Sequence, residues 1–299
     1  MLFGVHKMTW GPYFDPADME AFFSQAEAIG ADTVEFRPTD AMLAGDTAEC
    51  RKIRGLLEKY HLQPRFTYGF PKHLDMRSDD AFVREYATDY LIRGIRSVAE
   101  AGGINIGSAG IYACWPTLYD NQMILRADKY EHTQRSLECV RKAVRVAEEC
   151  GVTLNIELVN RFENYLLNTV DEGLSYCVAV DSKNCNLLLD VFHLGIEEND
   201  LIGAVKKAGR FGMIGHVHVS ERNRAIPQEG SCFDWQGLGA ALREAGYDGT
   251  VTIEAAAAFD GASSYNMRIF RDLQPDVSLQ GRLDALRTSL NYLRGQMTE

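Results

Sequence analysis

Long apolar runs are missing from this chain. Nowhere do 18 consecutive apolar residues occur, which is close to the length a helix needs to cross a bilayer. The opening residues MLFGVHKMTWGPYFDPADME carry no basic stretch followed by an apolar one, so neither a membrane span nor secretion is expected. Paired cysteines are missing too: the seven cysteines are odd in number and none forms C-x-x-C. Free thiols in a reducing cytoplasm are therefore expected rather than a disulfide framework, with Cys139, Cys150 and Cys177, which fall in helical patterns, in or near the core. Basic residues are in deficit, 31 Lys and Arg against 42 Asp and Glu, for a net charge of −11. A phosphate backbone would be repelled on average, and nucleic acid is not an expected partner. No Pro-, Gly- or Ser-rich linker divides the 299 residues, and one domain over 1–299 is expected.

What is present is an alternation. Strand-length apolar segments at 2–8, 32–38, 63–70, 104–110, 152–159, 185–193, 213–220 and 249–256 are separated by helical patterns such as 16–29, 79–101, 129–150 and 234–245. The 79–101 pattern puts Phe82, Tyr86, Tyr90 and Leu91 at helical spacing. Four junctions repeat one device: AEAIGADTVEF, AEAGGINIGSA, AEECGVTLNIE and REAGYDGTVTIE each end a helix in glycine and enter a strand within a few residues. Eight βα units point to an α/β fold, a (β/α)8 TIM barrel, with an open doubly wound sheet as the alternative. Either one puts chemistry at the carboxyl ends of the strands.

Barrel strands send alternate residues inward and outward. With Leu154, Ile156 and Leu158 facing the helices, Glu157 turns inward, and with Leu187, Leu189 and Val191 outward, Asp190 does the same. Val217 and Val219 place His216 and His218 inside, while Val251 and Ile253 place Glu254 there. One such residue alone is more often a solvated rim carboxylate or a satisfied core histidine, and His216, a layer deeper, keeps the role of a hydrogen-bonding support. Four together differ, because three carboxylates converging without a cation repel one another and lose hydration. A divalent metal bound by Glu157, Asp190, His218 and Glu254 removes the conflict. Oxygen-rich donors favour Mn²⁺, Co²⁺ or Mg²⁺ over a closed zinc site, with positions left for a substrate carrying adjacent oxygens, such as a hydroxyketone.

The stretches IELVNRFENYLLNT, LLLDVFHLGIEEN, GHVHVSERNR, GYDGTVTIE and RIFRDL, with CWP at 114–116, resemble the D-tagatose 3-epimerase and D-psicose (D-allulose) 3-epimerase family of xylose isomerase-like TIM barrels. The resemblance implies a Mn²⁺- or Co²⁺-dependent C3 epimerase of free ketoses. Glu157 and Glu254 would double as its acid/base pair through a cis-enediolate. It further implies that His193 and Arg224 grip the substrate oxygens, that Glu163 supports that polar end, that Trp115 is a pocket wall, and that the protein is a homo-oligomer, a dimer or tetramer. Arg161 is expected to pair with a nearby carboxylate.

The chain departs from the family at the far end of the pocket. His6 and Lys7 stand where the family usually has an aromatic pair, Ala255 and Ala256 where Pro-Phe is common, Val219 and Ser220 where a small residue and Gly usually follow the metal histidine, and RFTYGF fills the third strand. His6 therefore joins the expected substrate-binding residues, and the preferred ketose is expected to differ in length or stereochemistry. No Gly-rich phosphate cradle is present, which favours unphosphorylated sugars. An inosose dehydratase-like lyase and an aldose–ketose isomerase are the alternatives on the same site. An endonuclease IV-type hydrolase is disfavoured by seven histidines in all and the acidic charge, and a sugar-binding protein by the intact ligand set.

Overall fold

Eight parallel strands hydrogen-bond in chain order and the last pairs with the first, closing the barrel. They are β1 (Leu2–His6), β2 (Thr33–Phe36), β3 (Gln63–Thr67), β4 (Asn105–Ser108), β5 (Thr153–Glu157), β6 (Cys185–Asp190), β7 (Ile214–Val219) and β8 (Thr250–Ile253). The computed structural model describes residues 1–115, 123–256, 258, 259 and 261–298. Pro116 of the CWP stretch lies outside them.

All eight expected strands form, and the outward parity holds: Leu154, Ile156, Leu187, Leu189, Val217, Val219, Val251 and Ile253 are at most 1% exposed. Each such side chain removed from water contributes about 1.5–3 kcal/mol, which selects this register over a one-residue slip that would turn the aliphatic set inward. The junction glycines behave as one device, with φ of 83° at Gly30, 84° at Gly102, 68° at Gly151 and 69° at Gly246. That left-handed backbone ends each helix at little cost for glycine.

The strands are shorter than the alternation indicated, always at the carboxyl end. After β1 the chain turns into a 3-10 segment at Lys7–Tyr13, and after β6 into a helix at Val191–Glu197. His193 and Val191 therefore lie on that helix and not on the strand. Asp190 causes the change: its Oδ1 accepts from the Phe192 amide at 2.9 Å and caps the helix. The helix over Ala81–Glu100 buries Ala87, Leu91, Ile95 and Val98 instead of its first aromatics, and Phe82 and Tyr86 are 75% and 47% exposed. Tyr90 stacks on Tyr68 at 5.0 Å between ring centroids.

β7 reaches its inward histidines through an irregularity. Leu187 pairs with Ile214 and Leu188 with His216, so Gly215 is skipped. A Cβ at Gly215 would stand 2.0 Å from Asn155 Oδ1, so only glycine fits this bulge. Gly215→Ala is expected to lower the unfolding free energy by about 1–3 kcal/mol, read from urea denaturation. A change within about 0.5 kcal/mol, the scatter of a neutral surface substitution, would show that the bulge adapts.

Candidate metal centre and active-site cleft

The carboxyl ends of β5 to β8 bring Glu157, Asp190, His218 and Glu254 together. One ligand atom from each lies within 4.8 Å of all the others. Asp190 faces His218 across the β6–β7 ladder. Glu254 follows β8 directly, and its amide donates to the Val219 carbonyl at 3.0 Å. Asp190 and His218 are at most 1% exposed, and Glu157 is 9% exposed at the mouth.

Three of the four residues, Glu157, Asp190 and His218, have one side-chain atom held by the scaffold and turn the other towards the group. Glu157 Oε2 accepts from the Ala109 amide at 3.0 Å, where the chain leaves β4, and Oε1 turns towards His218 Nδ1 at 3.9 Å. Asp190 spends Oδ1 on its helix cap and presents Oδ2. His218 Nε2 lies 2.9 Å from Glu35 Oε2, while Nδ1 lies 3.3 Å from Glu254 Oε2. His218 Nδ1 and Glu254 Oε2 are buried and face each other outside hydrogen-bond geometry, two electron-pair donors that a divalent cation would satisfy. The four residues fit such an ion.

Glu35 escaped the sequence reading. It sits on β2, inward between Val34 and Phe36, and was marked by the same alternation that located Glu157. Its Oε2 receives both inward histidines, His216 Nε2 at 2.8 Å and His218 Nε2 at 2.9 Å. His216 thus has the supporting role expected of it. Glu35, His216 and His218 form a second group of potential ligands, but these contacts already satisfy both Nε2 atoms. A carboxylate behind a histidine fixes the tautomer and leaves the other nitrogen for a metal.

The carboxylates are unlike in charge preference. Burial and the nearby Glu254 hold the Glu157 carboxyl well above the usual carboxylate range. For Glu254 burial acts in the same direction, yet His218 and Arg224 outweigh it and hold the group well below that range. Burial pushes Asp190 up to about 6 against the opposing pull of Arg224. Burial opposes charge on His218, but Glu35 and Glu254 raise it well above the usual histidine range, so a metal must displace a proton to coordinate there.

A cleft of about 410 Å³ opens above these residues and is lined by His6, Trp115, Glu157, Glu163, His193, Arg224 and Glu254, among others. Arg224, held at a φ of 67° in the loop after β7, reaches inward. Its Nη1 lies 2.7 Å from Asp190 Oδ2 and 3.1 Å from Glu254 Oε2, and its guanidinium covers the Phe192 ring at 4.0 Å. His193 Nδ1 faces the Asn160 amide at 3.1 Å and its Nε2 faces Arg224 Nη2 at 3.0 Å; both neighbours are donors, so the imidazole meets a donor on each side. Glu163 accepts from Trp115 Nε1 at 2.7 Å and from Asn160 Nδ2 at 3.1 Å. Asn160 had no sequence signal, because its role depends on a loop folding back. Burial pushes His6 down to about 4; its Nδ1 accepts from the Met8 amide and its Nε2, without a partner, faces Glu254 Oε1 at 3.9 Å. Arg161 pairs as expected, its Nε and Nη2 reaching Glu197 at 3.0 and 2.8 Å. No helix among the described residues is long and apolar enough to cross a membrane.

A profile of the family described as Xylose isomerase-like TIM barrel matches residues 23–273. The chain is 30% identical over 273 residues to a D-psicose 3-epimerase of Ruminiclostridium cellulolyticum, covering 91% of this chain and 90% of that protein. It is also 30% identical over 278 residues to an L-ribulose 3-epimerase of Mesorhizobium japonicum, covering 91% and 88%. A crystal structure of D-psicose 3-epimerase with D-tagatose from Clostridium cellulolyticum H10 superposes with a TM-score of 0.91 at 26% identity, over 99% of each chain. With its closed barrel and buried Glu–Asp–His–Glu group, the chain belongs to the xylose isomerase-like TIM barrel family, within which these relatives are ketose 3-epimerases.

Proposed function

We propose that the protein is an isomerase that epimerises ketoses at C3, using a divalent metal held by Glu157, Asp190, His218 and Glu254. The observation that carries this reading is the pair Glu157 and Glu254. They come from strands three apart around the barrel, lie in one ligand group within 4.8 Å, and have unlike surroundings: burial and Glu254 push Glu157 up, while His218 and Arg224 hold Glu254 down. Inverting a carbon next to a carbonyl needs a base on one face and an acid on the other. When bound, the cation, Mn²⁺ by preference with Co²⁺ or Mg²⁺ as alternatives, polarises the substrate carbonyl and stabilises the charge that develops on its oxygen.

The remaining steps belong to the side chains. Glu254, ionised, takes the C3 proton and leaves a cis-enediolate; Glu157, protonated, returns a proton to the opposite face. In the reverse direction the roles exchange. Arg224 Nη2, 3.0 Å from His193 Nε2, supplies the charged donor that a substrate oxygen would meet beside the imidazole. Glu163, held by Trp115 and Asn160, accepts a hydroxyl proton at the same end, and the Trp115 ring excludes water beside it. Deuterium incorporation at C3 in D₂O, followed by NMR over a panel of four-, five- and six-carbon ketoses, tests the reading. A dehydrated product would replace it with a lyase, and an aldose with an aldose–ketose isomerase.

Glu35 belongs to this centre as the group that orients His218. Glu35→Gln is expected to weaken metal binding about 10–100-fold by titration calorimetry, with much of the lost activity regained at saturating metal. Unchanged affinity would reduce Glu35 to a packing role. We also place the protein in the cytoplasm, where its free thiols stay reduced, as a dimer or tetramer, a state that light scattering decides.

A further inference from the structure

The cleft is not neutral at the end away from Glu163, Asn160 and His193. Lys7, the first residue after β1, and Arg37, the first after β2, both line it. Burial lowers the pKa of Lys7, and the neighbouring Arg37 charge lowers it further. Among the described residues no carboxylate lies within ion-pair distance of Lys7. Its Nζ has instead the face of Phe14, 4.8 Å from the ring centroid. A cation–π contact offsets part of the lost hydration but leaves the ammonium N–H donors unused.

Arg37 does have an acidic partner, Asp40 at 2.8 Å, but that carboxylate is 90% exposed, and a pair so solvated is weak. His6, next to Lys7, adds a buried Nε2 with no hydrogen-bond partner between this end and Glu254. Two cations thus share one wall of the cleft in a chain whose net charge is −11, where anionic molecules are repelled on average. Like charges placed together beside a partly desolvated cleft are unfavourable until an anion joins them.

We infer that the preferred substrate is a ketose whose end remote from the reacting carbons carries an anionic group, a carboxylate or a phosphate, received by Lys7 and Arg37. The inference rests on the epimerase reading and names the substrate class of that same site. With Glu163, His193 and Arg224 holding the reacting end, a sugar chain across the centre places its tail along His6 towards Lys7. The anion meets side-chain donors here and no glycine-rich backbone cradle, so both anions fit the chemistry and the assay separates them.

The test compares three hexuloses with the Mn²⁺-loaded enzyme: one with a terminal carboxylate, one with a terminal phosphate and one unsubstituted. Deuterium exchange at C3 in D₂O is measured for wild type and for Lys7→Gln. At least one anionic sugar is expected to exceed the neutral one by about tenfold in kcat/KM. Lys7→Gln is expected to collapse that ratio about tenfold, mainly through KM, and the better of the two charged sugars identifies the anion. A neutral sugar preferred over both, or a ratio unmoved by the substitution, overturns the inference and leaves the epimerase reading standing. If none of the three exchanges, the epimerase reading falls, and calorimetric binding of the same sugars decides the remainder. Tighter binding of an anionic sugar by wild type than by Lys7→Gln supports the anion site, and equal binding refutes it.

Discussion

Glu254→Gln is expected to stop proton exchange at C3 while the barrel stays folded. Glu254 is the ionised member of the pair, kept so by His218 and Arg224 against the effect of burial, and an amide in its place accepts no proton. A positioned general base contributes about 10²–10⁴ in rate, so kcat should fall by that factor or more at saturating metal. The amide oxygen remains a weak donor, which makes saturation necessary: without it, lost metal and lost base would look alike. Stability in the absence of metal should fall without unfolding the barrel, because His218 and Arg224 lose the carboxylate they hold ionised. Glu157→Gln is expected to block the second proton transfer. For the epimer whose C3 hydrogen faces Glu254, wash-out of deuterium should persist in this variant after net epimerisation is lost, whereas Glu254→Gln should lose both. Net turnover by Glu254→Gln within tenfold of wild type would remove Glu254 from the acid/base role.

Arg224→Met is expected to destabilise the metal-free protein by about 3–5 kcal/mol, the cost of leaving a buried charge without its partner. The guanidinium is buried, lies 2.7 Å from an Asp190 carboxylate that is wholly buried, and also reaches Glu254. Methionine keeps the apolar cover over Phe192, so the loss reports charge more than packing. With Mn²⁺ bound, two positive charges stand among the same carboxylates, and the penalty should shrink by about 2 kcal/mol or more. Urea denaturation of wild type and variant, each with chelator and with saturating Mn²⁺, gives the four free energies. An equal loss with and without metal would mean that Arg224 acts by packing and that the four residues do not share their charge with an ion. Activity should fall as well, since the charged donor beside His193 is gone.

The family resemblance and the strand parity are enough to place much of this centre. Eight strands, the end of the barrel that holds the chemistry and the four candidate ligands follow from period-two alternation. That pattern is legible because burying Leu154, Ile156 and their counterparts on the outer face is the largest energy acting on each strand. Glu35 carries the same signal on β2, inward between Val34 and Phe36. The strand ends were misplaced for a local reason. Val191 and His193 continue the apolar rhythm of β6, yet a single hydrogen bond from Asp190 to the Phe192 amide begins a helix there, and no periodicity encodes a cap formed by a residue with a second role.

The amino-acid sequence by itself determined the barrel, the inward face and the residue types gathered on it, because these depend on spacing along one chain. Only the tertiary structure decided how those residues divide the work. Separations of 48 residues between Trp115 and Glu163, 33 between Asn160 and His193, and 183 between Glu35 and His218 become hydrogen bonds. They hold the His193 ring between Asn160 and Arg224 and turn His218 Nδ1 towards the carboxylates. The meeting of Lys7 with Arg37 at the mouth was of the same kind: two residues thirty apart in sequence line one cleft because β1 and β2 are neighbours in the barrel, and among the described residues no carboxylate lies within ion-pair distance of Lys7.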